Sequence, residues 1–574
     1  MKKNKIVASL LAILMSVGTV GSLAACGGGN SGAGTESESS TSGGQDLDAQ
    51  KTQLYVRNYQ GGFGNKWLYN GKAKLEAKYA DAELEPGKKG VQVLITDIKE
   101  TPQISNIQND IYEVYFVEKV NYLYLQKQNV IEDITDIVKG TNSYDGKSIE
   151  SKLTDAQKNF YGINEGGETK YYALPHYMAP VGIVYDMDLF NERNYYFKAG
   201  YEKETDVQNM FIIDSGDKKS NGPDGVYGTD DDGLPATYAD FWNLCQYILD
   251  DGNTPLNWGG NNATQFYVTA LMIQLMAQYQ GAEEFLRNFT YDGNMNVVKL
   301  DSNGNAMVGS DGKPVTETVT LSAADKNGYE TFRSEGYYYA LQFVKQLMDK
   351  VGTYSIESNI TSNSYDAFAA QREYIKSRKY NGNGRQAMLI DGSWWDSEAT
   401  SYFTEENLKK SDCHYGWLPL PAATTDKVGS GKDVMVNTIN SLCFVKKGLN
   451  DVKKQLAFDF VQLMNCDESL VDFTVQTNAF KDFKYDLGGK DSVLSPFGQE
   501  MYKAWKTSDL VFPNDNNDQY YNTVYQTDSS RRYAISTADQ FASIKFLSDK
   551  TMTVESYLGK TYNYIRSNIS LWNK

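Results

Sequence analysis

The stretch Leu54-Tyr55-Val56-Arg57-Asn58-Tyr59, running into Gln60-Gly61-Gly62-Phe63-Gly64, decides the fold. An apolar, aromatic-rich run ends on a glycine turn, and Trp67 to Tyr79 continues with helical composition. The pattern then repeats. Val91-Gln92-Val93-Leu94-Ile95 reads as a second strand, Gln103 to Asn109 as a helix, Tyr112 to Val117 as a third strand and Val120 to Gln128 as a helix. Strands alternating with helices predict an α/β protein with a mainly parallel sheet. Such sheets bind ligands beyond the carboxyl ends of their strands. That rule points to Tyr59 to Phe63 and to Val117 to Lys119, with Tyr59 and Phe63 on a loop whose glycines let backbone approach a ligand.

Further along, Tyr171 to Tyr177 and Val181 to Tyr185 read as strands separated by a break at Pro180. His176 and Tyr177 flank that break. Pro235 to Leu249, Thr269 to Tyr279, Tyr338 to Val351, Lys453 to Met464 and Tyr557 to Ile569 have helical spacing. Gln386 to Asp391 is a short apolar strand running into Gly392-Ser393-Trp394-Trp395, and Asn294 to Thr320 has the alternation of a β-hairpin insertion. Trp258, before Gly259-Gly260, is another aromatic on a loop.

The chain has 574 residues and a formal charge of -17. An acidic surface disfavours nucleic-acid phosphates and anionic headgroups, so no nucleic-acid partner is expected. Aromatics make up 13% of the chain, with 42 tyrosines, whose apolar faces and polar tips suit polar organic ligands. Cys245, Cys413, Cys443 and Cys466 match no zinc or redox spacing. The amino terminus carries Lys2, Lys3 and Lys5, then an apolar stretch from Ile6 to Met15, then small residues. This is the layout of an export signal over residues 1–25. Its end, Leu23-Ala24-Ala25-Cys26, resembles the lipobox of bacterial lipoproteins, which implies cleavage before Cys26 and a diacylglycerol on its sulfur. Loss of the three lysines would take the charge to -20. The Gly/Ser/Thr/Glu-rich residues that follow, within 26–51, read as a flexible tether. The expected location is the extracellular face of the cell membrane, held by lipid alone.

Catalytic signals are thin. Gly146-Lys147-Ser148 and Gly559-Lys560-Thr561 end like phosphate loops, but Thr141 and Val554 stand where the leading glycine belongs. His176 and His414 are the only imidazoles. A glycan hydrolase or lyase needs only two carboxylates, so it stays open as an alternative, as does a surface lectin. The segment Asp214 to Gly233 is dense in Asp and Gly. Hard cations take oxygen ligands from such loops, and Asn221, Asp224, Asp230 and Asp232 are the expected ligands of a structural calcium. No other cofactor is expected.

An ordered series of blocks resembles the extracellular solute-binding proteins of ABC importers, in the carbohydrate class that includes maltose-binding protein. The blocks are Arg57 to Gly64; Glu113-Val114-Tyr115-Phe116 with Ile131-Glu132-Asp133-Ile134-Thr135; Leu174-Pro175-His176-Tyr177 to Asp186; and Pro235-Ala236-Thr237-Tyr238-Ala239-Asp240-Phe241. The most specific is Gly384-Arg385-Gln386-Ala387-Met388-Leu389-Ile390-Asp391-Gly392-Ser393-Trp394, followed by Leu418-Pro419-Leu420-Pro421. The resemblance implies a two-lobed periplasmic-binding-protein-like fold with discontinuous lobes, 52–180 with 438–510 and 181–437 with 511–574, and a ligand cleft between them. It implies no catalysis, a carbohydrate ligand (an oligosaccharide), and ABC permease subunits as partners. Trp394 matches the tryptophan that stacks on sugar in relatives, with Asp391 and Trp395 beside it. Glu118 stands where relatives place a ligand carboxylate, although Val117 replaces the tryptophan some sugar binders carry before it.

Overall fold

The computed structural model describes residues 46–511 except 121, 323, 326 and 432, together with 546 and 549–567. Cys26, the signal segment, most of the tether and much of 511–574 lie outside the described residues. Two sheets organise the chain. In the first, the order runs Val91–Asp97, Thr52–Asn58, Val114–Glu118, Ser441–Val445, Ala173–Pro175. The first three strands are parallel, and Ser441–Val445 is antiparallel to both of its neighbours. The central strands are buried on both faces, as a helix-covered parallel sheet requires. Helix Lys66–Lys78 covers it closely: a Cβ at Gly71 would sit 2.1 Å from Met464 Sδ on the neighbouring helix Asp451–Met464.

The second sheet runs Tyr415–Trp417, Val181–Asp186, Gln386–Gly392, Thr254–Asn257. Here the expectation of mainly parallel strands is corrected. Val181–Asp186 is antiparallel to both neighbours, and only Gln386–Gly392 with Thr254–Asn257 is parallel. The reason is connectivity. The chain enters this sheet from the first one rather than through a helix on its own face, so alternation of elements does not fix strand direction. The expected insertion is an antiparallel ribbon of Asp292–Val298 and Thr316–Ser322.

Two segments joining the sheets lie side by side. Asn437 Oδ1 accepts from Ala179 N at 2.9 Å, Thr438 Oγ1 donates to Ala179 O at 2.8 Å, and Ser441 Oγ accepts from Tyr177 N at 3.0 Å. Strand Val434–Val436 also pairs in parallel with Asp509–Val511. Side-chain bonds thus hold the connections where sheet ladders cannot.

The helix after Pro235 begins at Tyr238 and ends at Asp250. Its cap is explicit: Thr237 Oγ1 accepts from Asp240 N and Asp240 Oδ2 accepts from Thr237 N, at 3.2 and 2.9 Å. Thr237→Ala is expected to lower unfolding free energy by about 1 kcal/mol. Urea denaturation checks this, with an unchanged midpoint as the contrary result. Among the described residues no helix is long and apolar enough to cross a membrane.

Candidate functional site

Loops from the two sheets meet at Trp394. The first sheet supplies the turn after Thr52–Asn58. A Cβ at Gly62 would lie 2.8 Å from Trp394 Cδ1, so only glycine lets this backbone rest on the indole edge. Gly61 in turn faces Glu118 and Tyr177, with its Cβ position 3.1 Å from Glu118 Oε1 and 3.5 Å from the Tyr177 hydroxyl. Tyr177 donates a hydrogen bond to Glu118. Glu118 closes its strand, and Lys119 follows with φ of 60°, its Nζ 3.9 Å from Glu118 Oε2. The Gly61 Cβ position is also 3.9 Å from Tyr59 Cε1, and burial, then the fields of Glu118 and Glu398, push the Tyr59 phenol far up.

The second sheet supplies the other wall. Strand Gln386–Gly392 delivers Asp391 at its end, and Trp394 follows on the turn with 7% of its surface exposed. The rings of Phe266 and Tyr267, from helix Asn262–Thr290, lie 6.4 and 6.3 Å from the Trp394 ring. Burial, then the fields of Asp391 and Glu398, push the Tyr267 phenol well up. Gln371 Nε2 then donates to Asp391 Oδ2 at 3.0 Å and to Glu398 Oε2 at 2.8 Å. Burial, and then Glu398, push the Asp391 carboxyl up to about 8. Burial also raises Glu398, against the field of Lys99 from the first half. Lys99 Nζ lies 5.8 Å from the Phe368 ring of the second half.

The structure therefore brings Tyr59, Glu118, Tyr177, Asp391 and Trp394 together. It sends others elsewhere. Trp395 has no exposed surface and packs edge-on against Tyr415 at 4.9 Å and Phe497 at 5.4 Å. Consecutive residues on a turn point apart, so one indole of the pair faces the meeting of the halves and the other the core. Trp258 is also fully buried, its Nε1–H donating to Thr264 Oγ1 at 3.1 Å. The loop position suggested a ligand platform, but its polar edge is satisfied inside. Phe63 turns under its loop onto Tyr177 at 4.7 Å. His176 lies between Trp67 and Phe116, with Nδ1 2.6 Å from Lys481 Nζ, and burial holds its pKa well below the ordinary value. Burial likewise brings Lys481 down to about 7. These two support Tyr177 from below, the His176 and Tyr177 rings being 4.7 Å apart.

Tyr267, Gln371, Glu398 and Lys99 were not anticipated. Glu398 had a signal, a carboxylate one helical turn past Trp394. Gln371 had none, since it reaches the site from a helix, Ala367–Ser377, not read from the sequence.

In the Asp/Gly loop the four expected calcium ligands have partners within the chain. Asn221 Nδ2 donates to Gly225 O, Asp224 accepts from Val226 N, Asp232 accepts from Gly228 N, and Asp230 faces Lys503 at 3.1 Å. Each expected ligand closes its own turn or ion pair, and among the described residues no group of three His, Cys, Asp or Glu is arranged to hold a metal. A separate cavity of about 830 Å³ is lined by Trp417, Gly182, Gln278 and Asp433 and includes none of the residues around Trp394.

No protein-family model matches the chain, and no curated protein matches it. Solved structures do. A chitin oligosaccharide binding protein aligns over 91% of this chain and 100% of its own, at 14% identity and a TM-score of 0.54. The bacterial solute receptor AcbH, described as exclusive for β-D-galactopyranose, aligns over 90% and 99%, at 13% identity and 0.51. A probable secreted solute-binding lipoprotein from Streptomyces coelicolor aligns over 90% and 100%, at 11% identity and 0.51. At these identities the likeness is one of fold. The chain has the two-lobed α/β fold of bacterial solute-binding proteins.

Proposed function

We propose that this protein is the lipid-anchored extracellular receptor of an ABC importer, that it captures a carbohydrate, an oligosaccharide in kind, between its two halves, and that it delivers it to membrane permease subunits. The observation that carries the reading is the position of Trp394. A sugar ring presents C–H patches on its faces and hydroxyls around its edge. An indole covers the first, and carboxylates and phenols bond the second. Trp394 sits at the contact between the halves with Tyr59, Tyr177 and Tyr267 around it and Glu118 and Asp391 in reach of the same space. The solute-binding fold supports the same role, and hinge closure over ligand is its ordinary movement. The anchor rests on Leu23-Ala24-Ala25-Cys26 and the preceding apolar stretch.

A thermal-shift screen over mono- and oligosaccharides, followed by calorimetry, tests it. Ligand at about 100 times its Kd is expected to add about 2.7 kcal/mol of stability, with no new reducing ends released. Silence across the panel, or turnover of a bound glycan, removes the receptor reading.

A further inference from the structure

The group of Asp391, Gln371 and Glu398 beside Trp394 has acceptors without matching donors. Asp391 and Gln371 are buried and Glu398 is partly buried. The Gln371 amide nitrogen is shared by both carboxylates. Its own oxygen has no partner, and neither does the neighbouring Ser393 hydroxyl. The other bond to Asp391 comes from the Gly392 amide at 2.6 Å. Among the described residues neither carboxylate is ion-paired, and the cation whose field reaches Glu398 is Lys99, on the opposite half. The other acid of this turn differs. Asp396 is paired with Lys410 at 2.8 Å and accepts from Asn478 and Ser495.

Resting on the receptor reading above, we infer that Asp391, Glu398 and the Gln371 carbonyl form a subsite for a protonated amine carried by the ligand, so that the preferred sugar is an amino sugar. The chemistry matches in number. An ammonium has three N–H donors and a positive charge. The cluster offers two carboxylates and one orphan amide oxygen, and a buried acceptor left open is unfavourable. A hydroxyl brings one donor and no charge, and an acetamido group brings one donor and added bulk. Without ligand, a proton takes the place of the cation, as the raised Asp391 carboxyl indicates. The protein's net charge of -17 also raises the local concentration of cationic solutes.

Calorimetry at pH 6 in low salt tests this with pairs differing at one substituent: glucosamine and glucose, galactosamine and galactose, and β-1,4 tetramers bearing amine, acetamide or hydroxyl. The expected result is at least tenfold tighter binding of the amine member in any pair that binds. That ratio should fall below threefold in Glu398→Gln and in Asp391→Asn. If hydroxyl or acetamido sugars bind as tightly as their amines, the amine subsite is overturned and the receptor reading stands. If no amino sugar binds at millimolar concentration, the subsite is overturned as well. Failure of the whole sugar panel alone removes the receptor reading.

Discussion

Trp394→Ala is expected to weaken sugar binding by about 2 kcal/mol or more, roughly 30-fold, while Trp394→Phe retains most of the affinity. The argument is geometric. The indole edge touches Gly62 of one half, and its ring centre lies 6.3 Å from that of Tyr267. An alanine removes the apolar platform and the ring against which Tyr267 packs. Phenylalanine keeps a flat face but loses the indole N–H. Calorimetry reads the affinity, and urea denaturation of the empty proteins separates a lost platform from a lost fold. Equal affinity in Trp394→Ala and wild type would show that Trp394 is interior packing, like its neighbour. Trp395 sets the contrast: it is buried among Tyr415 and Phe497, far more a matter of core volume than of ligand.

The contrast between these two tryptophans also marks what the sequence makes legible. The strands of the first sheet were readable because apolar runs bounded by glycine have few other places to go, and Thr52–Asn58 and Val91–Asp97 appear as expected. The motif around Gly384 to Trp394 located the end of a strand and an indole at the meeting of the halves. It did not tell Trp394 from Trp395, because a turn sends adjacent side chains apart and only the tertiary fold decides which way. Trp258, an aromatic before two glycines, is wholly buried in the core, with its indole N–H satisfied by Thr264. Asp391, Gln371 and Glu398 lie up to 27 residues apart and meet through the packing of a separate helix, which no local pattern encodes. The acidic loop gives its carboxylates a second use. Its carboxylates bond nearby backbone N–H groups, a use of Asp as common in turns as metal binding.

Asp391→Asn is expected to make the empty protein more stable at alkaline pH than wild type, by several kcal/mol at pH 8. The carboxyl titrates near 3.8 when unperturbed and at about 8 in the fold. Between these values the folded state holds a proton that the unfolded state has released. The slope of unfolding free energy against pH is then negative, about -1.4 kcal/mol per unit for one group. Wild type thus loses stability as pH rises from about 4 to about 8, and loses no more from this group beyond that. Asparagine copies the protonated acid in shape and cannot ionise, so the difference between the two proteins should be small near pH 4 and widen with each unit. Urea midpoints at pH 5, 6, 7 and 8 measure it, and taking the difference between proteins cancels Lys481 and other groups not coupled to Asp391, leaving Asp391 and its neighbour Glu398. Parallel curves would mean that Asp391 titrates as an ordinary carboxylate. A widening gap would mean that the site keeps a destabilising carboxyl in the empty state, which is reasonable only if a bound partner repays it, the trade of stability for function that binding sites show elsewhere.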